Sequence, residues 1–279
     1  MVGRSEIHAT LLLVCIMIVP MLAVSGNPIF PPAPAPYGHG YGIYIDSDSD
    51  FTMENGVTAG TGTWGDPFII QEMSINLTVT DDHGVYIHET TSHFIIRNMT
   101  IDLGRTYRES CGIELNGVRN GRVQSCEIGG SGTGVGVSYS SNVAIIQNVI
   151  AGDHLHYGLD LSSSSNLTIS GNVIDGYLYG IWMNGVVDTS VNNNTVVDAL
   201  GGILLVDSIG IAIADNQVDS DTDPYFDNKW AENTWPESHK VIEETSGKVL
   251  LLAAVVPAFA LMSAGMLLMK RGRSKVESK

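Results

Sequence analysis

Six side chains recur at fixed offsets from a repeated glycine, and together they are the right types to hold a sugar. Tyr86, Glu114, Asp160 and Trp182 each stand two residues after such a glycine, and Tyr157 and Tyr179 stand one residue before it. Aromatic rings stack on the apolar faces of sugars, and carboxylates accept hydrogen bonds from their hydroxyls. The competing reading is a decorated β surface without a ligand, since aromatics favour strands in any case. Glycoside chemistry needs two carboxylates at a defined separation. Glu114 and Asp160 lie two repeats apart, about 10 Å by strand spacing, which is wide for a retaining pair. Asp81-Asp82-His83 and Asp153-His154-Leu155-His156 are the other acid and histidine clusters. Neither forms a lyase, polygalacturonase or epimerase motif, so the reading leans away from an enzyme.

Metal ligands have three candidate segments. Asp46, Asp48 and Asp50 alternate with serines, and His154 and His156 are spaced to share a strand face. The first suits Ca²⁺ and the second copper or zinc, although no third ligand accompanies the histidines. Asp219, Asp221, Asp223 and Asp227 begin like an EF-hand, but Pro224 stands where glycine is needed and Trp230 where glutamate is needed. Solvated acidic turns are the competing reading for all three segments. Cys111 and Cys126 either pair or remain free thiols, Cys126 being expected inside. Sequons occur at Asn76, Asn98, Asn166 and Asn193. Asn76 and Asn166 are the expected glycosylation sites, because Asn98 falls on a column expected to point inward.

The element that positions these side chains is a repeat. The pattern Gly-apolar-x-apolar begins at Gly84, Gly112, Gly134, Gly158, Gly180 and Gly202, at intervals of 28, 22, 24, 22 and 22 residues. Eleven residues after each glycine stand Ile95, Val123, Ile145, Ile169, Val191 and Ile213. Fourteen after stand Asn98, Cys126, Asn148, Asn172, Asn194 and Asn216, and sixteen after stand Thr100, Ile128, Ile150, Ile174, Val196 and Val218. Such a period signals a solenoid. Apolar and polar residues alternate within each repeat, as in a half-buried strand. One repeat cannot bury its apolar face alone, whereas stacked repeats can. The expected fold class is therefore all-β, a parallel β-helix of about six coils with a leading strand at Pro67–Ile75. Each glycine is expected to permit a tight bend or a positive φ, and the asparagines to hydrogen-bond along the axis. The six extra residues of the first interval are assigned to a loop at Gly104–Glu109.

The ends belong to a membrane. Thr10–Val24 is an apolar run of signal-peptide length after Arg4, with small residues that allow cleavage near Ser25. Val249–Met269 is uncharged for 21 residues and is followed by Lys270, Arg271, Arg273 and Lys275. That length spans a bilayer as a helix, and the basic flank places the C-terminus in the cytoplasm and the preceding domain outside. The expected organisation is signal peptide 1–25, proline-rich leader 26–42, β-helix 43–220, stalk or cap 221–247, transmembrane helix 248–270 and cytoplasmic tail 271–279. Between Gly26 and Gly247, seven basic residues against 28 acidic ones leave a net charge of −21. That charge argues against nucleic acid as a partner.

The stretch Gly56–Ile70 and the later Phe94-Ile95-Ile96-Arg97-Asn98 resemble archaeal surface β-helix proteins, and the repeats resemble right-handed parallel β-helix (PbH1) repeats of the NosD-type and carbohydrate-binding or sugar-hydrolase group. The resemblance covers roughly Ile43 to Ser220. It implies the right hand of the coil. It also implies a role in binding glycan or cell-envelope polymer at the cell surface, with a carbohydrate-active enzyme or a copper-handling accessory protein as alternatives. Fold does not fix function.

Overall fold

A computed structural model of the chain describes residues 41–77, 83–105, 110–222, 224–229 and 232–236. The signal peptide, nearly all of the leader, the transmembrane segment and the tail lie outside the described residues, as do Asp81, Asp82, Asp223 and Trp230. Among the described residues no helix is long and apolar enough to cross a membrane. Two units divide the chain at Asn233, and of the second only 234–236 are described.

The described residues of the first unit form a solenoid whose strands stack into three sheets. The front sheet has eight strands: Tyr41–Ile45, His83–His88, Cys111–Asn116, Thr133–Ser138, Tyr157–Ser162, Tyr179–Asn184, Gly201–Val206 and Tyr225–Asp227. The second sheet runs from Phe68–Gln71 to Ala212–Ala214, and the third from Ser74–Asn76 to Gln217–Ser220. One strand of each sheet makes a turn, so seven turns are complete and Tyr225–Asp227 starts an eighth. Tyr41–Ile45 falls at the expected start of the coil, whereas Tyr225–Asp227 lengthens it beyond its expected limit, so the segment after Ser220 is in part solenoid rather than stalk. The strands pair in parallel, except that Val57–Ala59 folds back antiparallel on Phe68–Gln71 and closes that edge of the second sheet.

The core is a set of files. Ile70, Ile96, Val123, Ile145, Ile169, Val191 and Ile213 are consecutive register partners, all buried. Each such side chain contributes about 1.5–3 kcal/mol on burial. The expected member Ile95 is displaced by Ile96, because one of the extra residues of the long interval falls before Phe94 rather than in the loop at Gly104–Glu109. Met99 and Ile101 accordingly replace Asn98 and Thr100 in the other two inward columns.

The asparagine ladder forms as expected from Asn148 onward. Asn148, Asn172 and Asn194 are buried, and each Nδ2 donates to the Oδ1 of the next asparagine at 2.9 Å, ending on Asn216. Each Nδ2 also donates to a carbonyl one turn back, at Val123, Ile145 and Ile169. The left-handed backbone belongs to the residue before the ladder, at Asn98, Ser125, Gln147, Gly171, Asn193 and Asp215. Asn98 is thus exposed, which removes the reason for discounting its sequon.

The repeated glycines have a different cause from the one expected. None of the six has a positive φ. A Cβ on Gly112, Gly134 or Gly158 would lie 2.3–2.4 Å from the Cγ2 of Ile128, Ile150 or Ile174, and 2.6–2.7 Å from the carbonyl of the next glycine in the file. The corner between the third and front sheets has no room for a side chain.

Candidate functional site

Stacking brings the six predicted ligand residues onto the outer face of the front sheet. One file runs Tyr44, Tyr86, Glu114, Gly136, Asp160, Trp182. Alternation turns these side chains outward while Ile87, Leu115, Val137, Leu161 and Met183 fill the core.

An aromatic cluster stands on each side of the carboxylates, and the file continues past Trp182 to Leu204 and Phe226. Tyr44 and Tyr86 stack with centroids 5.4 Å apart and planes 7° apart, and His83 and His88 lie 5.4 and 5.9 Å from Tyr86. On the other side Tyr157 and Tyr179 stack at 5.9 Å, and Trp182 tilts against them at 5.9 and 5.5 Å. Four strand spacings separate Tyr86 from Trp182, about 19 Å. Sequence reasoning missed Tyr44, although Gly42-Ile43-Tyr44-Ile45 carries the same glycine pattern as the six repeats.

The carboxylates occupy the middle. Gly136 has no side chain, and the Glu114 carboxyl group fills that space, its Oε2 2.0 Å from where a Cβ would stand. Glu114 therefore leans one strand spacing towards Asp160, which narrows the separation expected from the backbone. The Cys111 thiol donates to Glu114 Oε2 at 3.2 Å, and Ser138 Oγ donates to Oε1 at 3.4 Å. Burial raises the pKa of Glu114, the negative charge of Asp160 adds to it, and the two hydrogen bonds oppose it. Burial raises Asp160 also. Cys111 is pushed well up by burial and then by Glu114, so it is a donor here and not a thiolate. Its N–H donates to His83 Nδ1 at 3.2 Å, which makes that nitrogen an acceptor.

The other candidates separate. Asp48 accepts hydrogen bonds from Thr90 Oγ1, from the Thr91 N–H and hydroxyl, and from the Ser92 N–H. Burial pushes Asp48 up, but these bonds outweigh it and bring its pKa to about 2. Asp46 pairs with His88 at 2.8 Å, and Asp50 accepts from Asp46 N and Ser47 Oγ. The aspartate run latches the first turn to the second instead of converging on a cation. His154 stands in a left-handed loop 3.8 Å from Asp198, whereas His156 lies 3.5 Å from Asp153, so the two do not share a strand face. Asp153 accepts from Ser131 Oγ at 2.6 Å and from the Leu155 N–H at 3.3 Å, and these bonds, with the His156 ring beside them, outweigh burial to lower its pKa. Among the described residues no group of three or more His, Cys, Asp or Glu is placed to hold a metal ion. Cys111 and Cys126 are both free, one on the outer face and one in the core. Asn76 and Asn166 are exposed, and the Asn166 amide donates to Asn142 Oδ1.

A family model described as a right handed beta helix region matches residues 35–196. No curated protein matches the chain.

Proposed function

The chain belongs to the right-handed β-helix family, and on that basis we propose that it binds glycan or cell-envelope polymer along its front sheet. One observation carries this reading: two aromatic clusters bracket a carboxylate pair in a single outward file. Rings at both ends would hold the faces of a saccharide chain while Glu114 and Asp160 take hydroxyls between them. The reading keeps the chain at the cell surface, anchored by residues 248–270 with the solenoid outside, and places it near the NosD-type and sugar-hydrolase-like group of archaeal surface proteins. The basic flank after Met269 supports that orientation.

A carbohydrate-active enzyme is the second reading. Its support is that burial favours the protonated form of Glu114 while Glu114 leans towards a second carboxylate, as a general acid beside a base would.

Full-length chain applied to an array of neutral and acidic oligosaccharides tests the first reading. Trp182→Ala and Tyr86→Ala are each expected to lower retention about ten-fold or more, in line with the loss of a stacking ring, with the unfolding midpoint unchanged. Retention unaltered in both variants would exclude this face. Product released from a bound oligosaccharide, and lost in Glu114→Gln, would move the assignment to the enzyme.

A further inference from the structure

The second sheet presents an outer face without a single acidic residue in turns two to seven, in a domain that carries a net charge of −21. Its outward positions are Ile95 and Arg97 in the second turn and Arg122 and Gln124 in the third. Arg97 Nε donates to Gln71 Oε1 at 2.7 Å, and neither arginine meets a carboxylate among the described residues. Ala144, Ile146, Thr168 and Ser170 follow in turns four and five, small or uncharged. The third sheet is the counterpart. Asp102 and Glu127 are exposed on its outer face in turns two and three, and Val149, Ala151, Val173 and Asp175 follow in turns four and five.

Opposite charges therefore stand at the same level on two different faces of one solenoid, and beyond them the second sheet is uncharged in turns four and five while the third carries Asp175 in turn five. We propose that these faces form a contact between two copies of this chain, aligned in parallel and in register. The third sheet of one copy would lie against the second sheet of the next. Both faces repeat at the strand spacing of about 4.8 Å, so two copies at one height bring Arg97 and Arg122 level with Asp102 and Glu127 together. No outward side chain of turns four and five is longer than isoleucine, which allows the sheets to approach to about 10 Å. The two faces differ, so the contact is head-to-tail around the axis and propagates into rows or closes into a ring. Screening by salt is needed, because the copies repel overall.

Two preparations of full-length chain, labelled with donor and acceptor dyes, read the contact as energy transfer. Arg97→Glu with Arg122→Glu is expected to weaken association about ten-fold, as is Asp102→Lys with Glu127→Lys. Mixing the two double variants restores it, a result that association through the apolar chain ends would not produce. Trp182→Ala leaves it unchanged, which separates this contact from glycan binding. Energy transfer insensitive to both charge reversals would overturn the proposal, as would failure of the mixed variants to regain it. So would copies that stay apart while the arginines retain dextran sulfate, since the partner would then be an anionic polymer.

Discussion

Glu114 occupies the space that a side chain at Gly136 would fill, with its Oε2 2.0 Å from the site of the missing Cβ. The obstructing atom is the far end of a flexible side chain, so an added methyl group can be accommodated if the carboxylate moves. Gly136→Ala is expected to displace Glu114 into solvent, break its bond with Cys111 and bring its pKa down towards the ordinary value. Carbon-detected NMR titration of the glutamates measures this. A Glu114 titration identical in the variant would show that the gap at Gly136 does not set its environment.

The asparagine ladder concerns stability alone. Asn172 accepts from the N–H and Nδ2 of Asn148 and donates to Ile145 O and Asn194 Oδ1. Asn172→Ala leaves several of these groups buried without partners, at a cost of about 3 kcal/mol or more. Cys126 ends the file, already donating its N–H to Asn148 Oδ1. Cys126→Asn adds a rung and is expected to stabilise by about 1 kcal/mol. Urea unfolding of both variants checks the pair; a destabilised Cys126→Asn would mean that the core near Met99 cannot accept the amide.

Glycine substitutions should rank by space rather than by φ. Gly158 has an ordinary φ but would put a Cβ 2.3 Å from Ile174 Cγ2, whereas Gly185 has φ +65° with nothing within 4 Å. Gly158→Ala is expected to cost about 3 kcal/mol or more through overpacking, and Gly185→Ala about 1–2 kcal/mol through its left-handed backbone. Equal melting temperatures for the two variants would contradict this order.

Two kinds of carboxylate respond to pH with opposite sign. Glu114 and Asp160 have folded pKa values raised above their ordinary 4.5 and 3.8, so the folded state binds more protons. Stability should then fall as pH rises from those values through the raised ones, and remain lower above them. Glu114→Gln with Asp160→Asn removes that fall and raises the melting temperature at neutral pH. Asp48 is depressed from 3.8 to about 2. Its contribution is complete above 3.8 and is lost as pH falls through about 2. Thermal unfolding at a series of pH values in wild type and the double variant measures both. A double variant that tracks wild type throughout would show that the site carboxylates carry no folding penalty.

Most of the scaffold was legible because a solenoid repeats its physics. The file Val123, Ile145, Ile169, Val191, Ile213 and the outward set around Tyr86 and Trp182 follow from alternation and period alone. The first coil was misread by one residue, Ile95 for Ile96, because an insertion can fall at either of two corners without changing the interval between glycines. Asn98 was placed in the ladder for the same reason. For the aspartate run from Asp46 to Asp50, a cation site and a solvated turn were both open in sequence, because the partners of Asp48, Thr90, Thr91 and Ser92, lie one turn away.

Period and alternation in the chain were enough to dictate stacked parallel strands, an apolar interior and the membership of the outward file, since each is a property of one repeat multiplied. Contacts between unlike repeats were decided only by the folded solenoid: Glu114 seated over Gly136, the thiol of Cys111 beneath it, the glycine corners closed by isoleucine methyl groups. These depend on which side chains meet across a turn, and that is set by how the register absorbs insertions and by the space left at each corner.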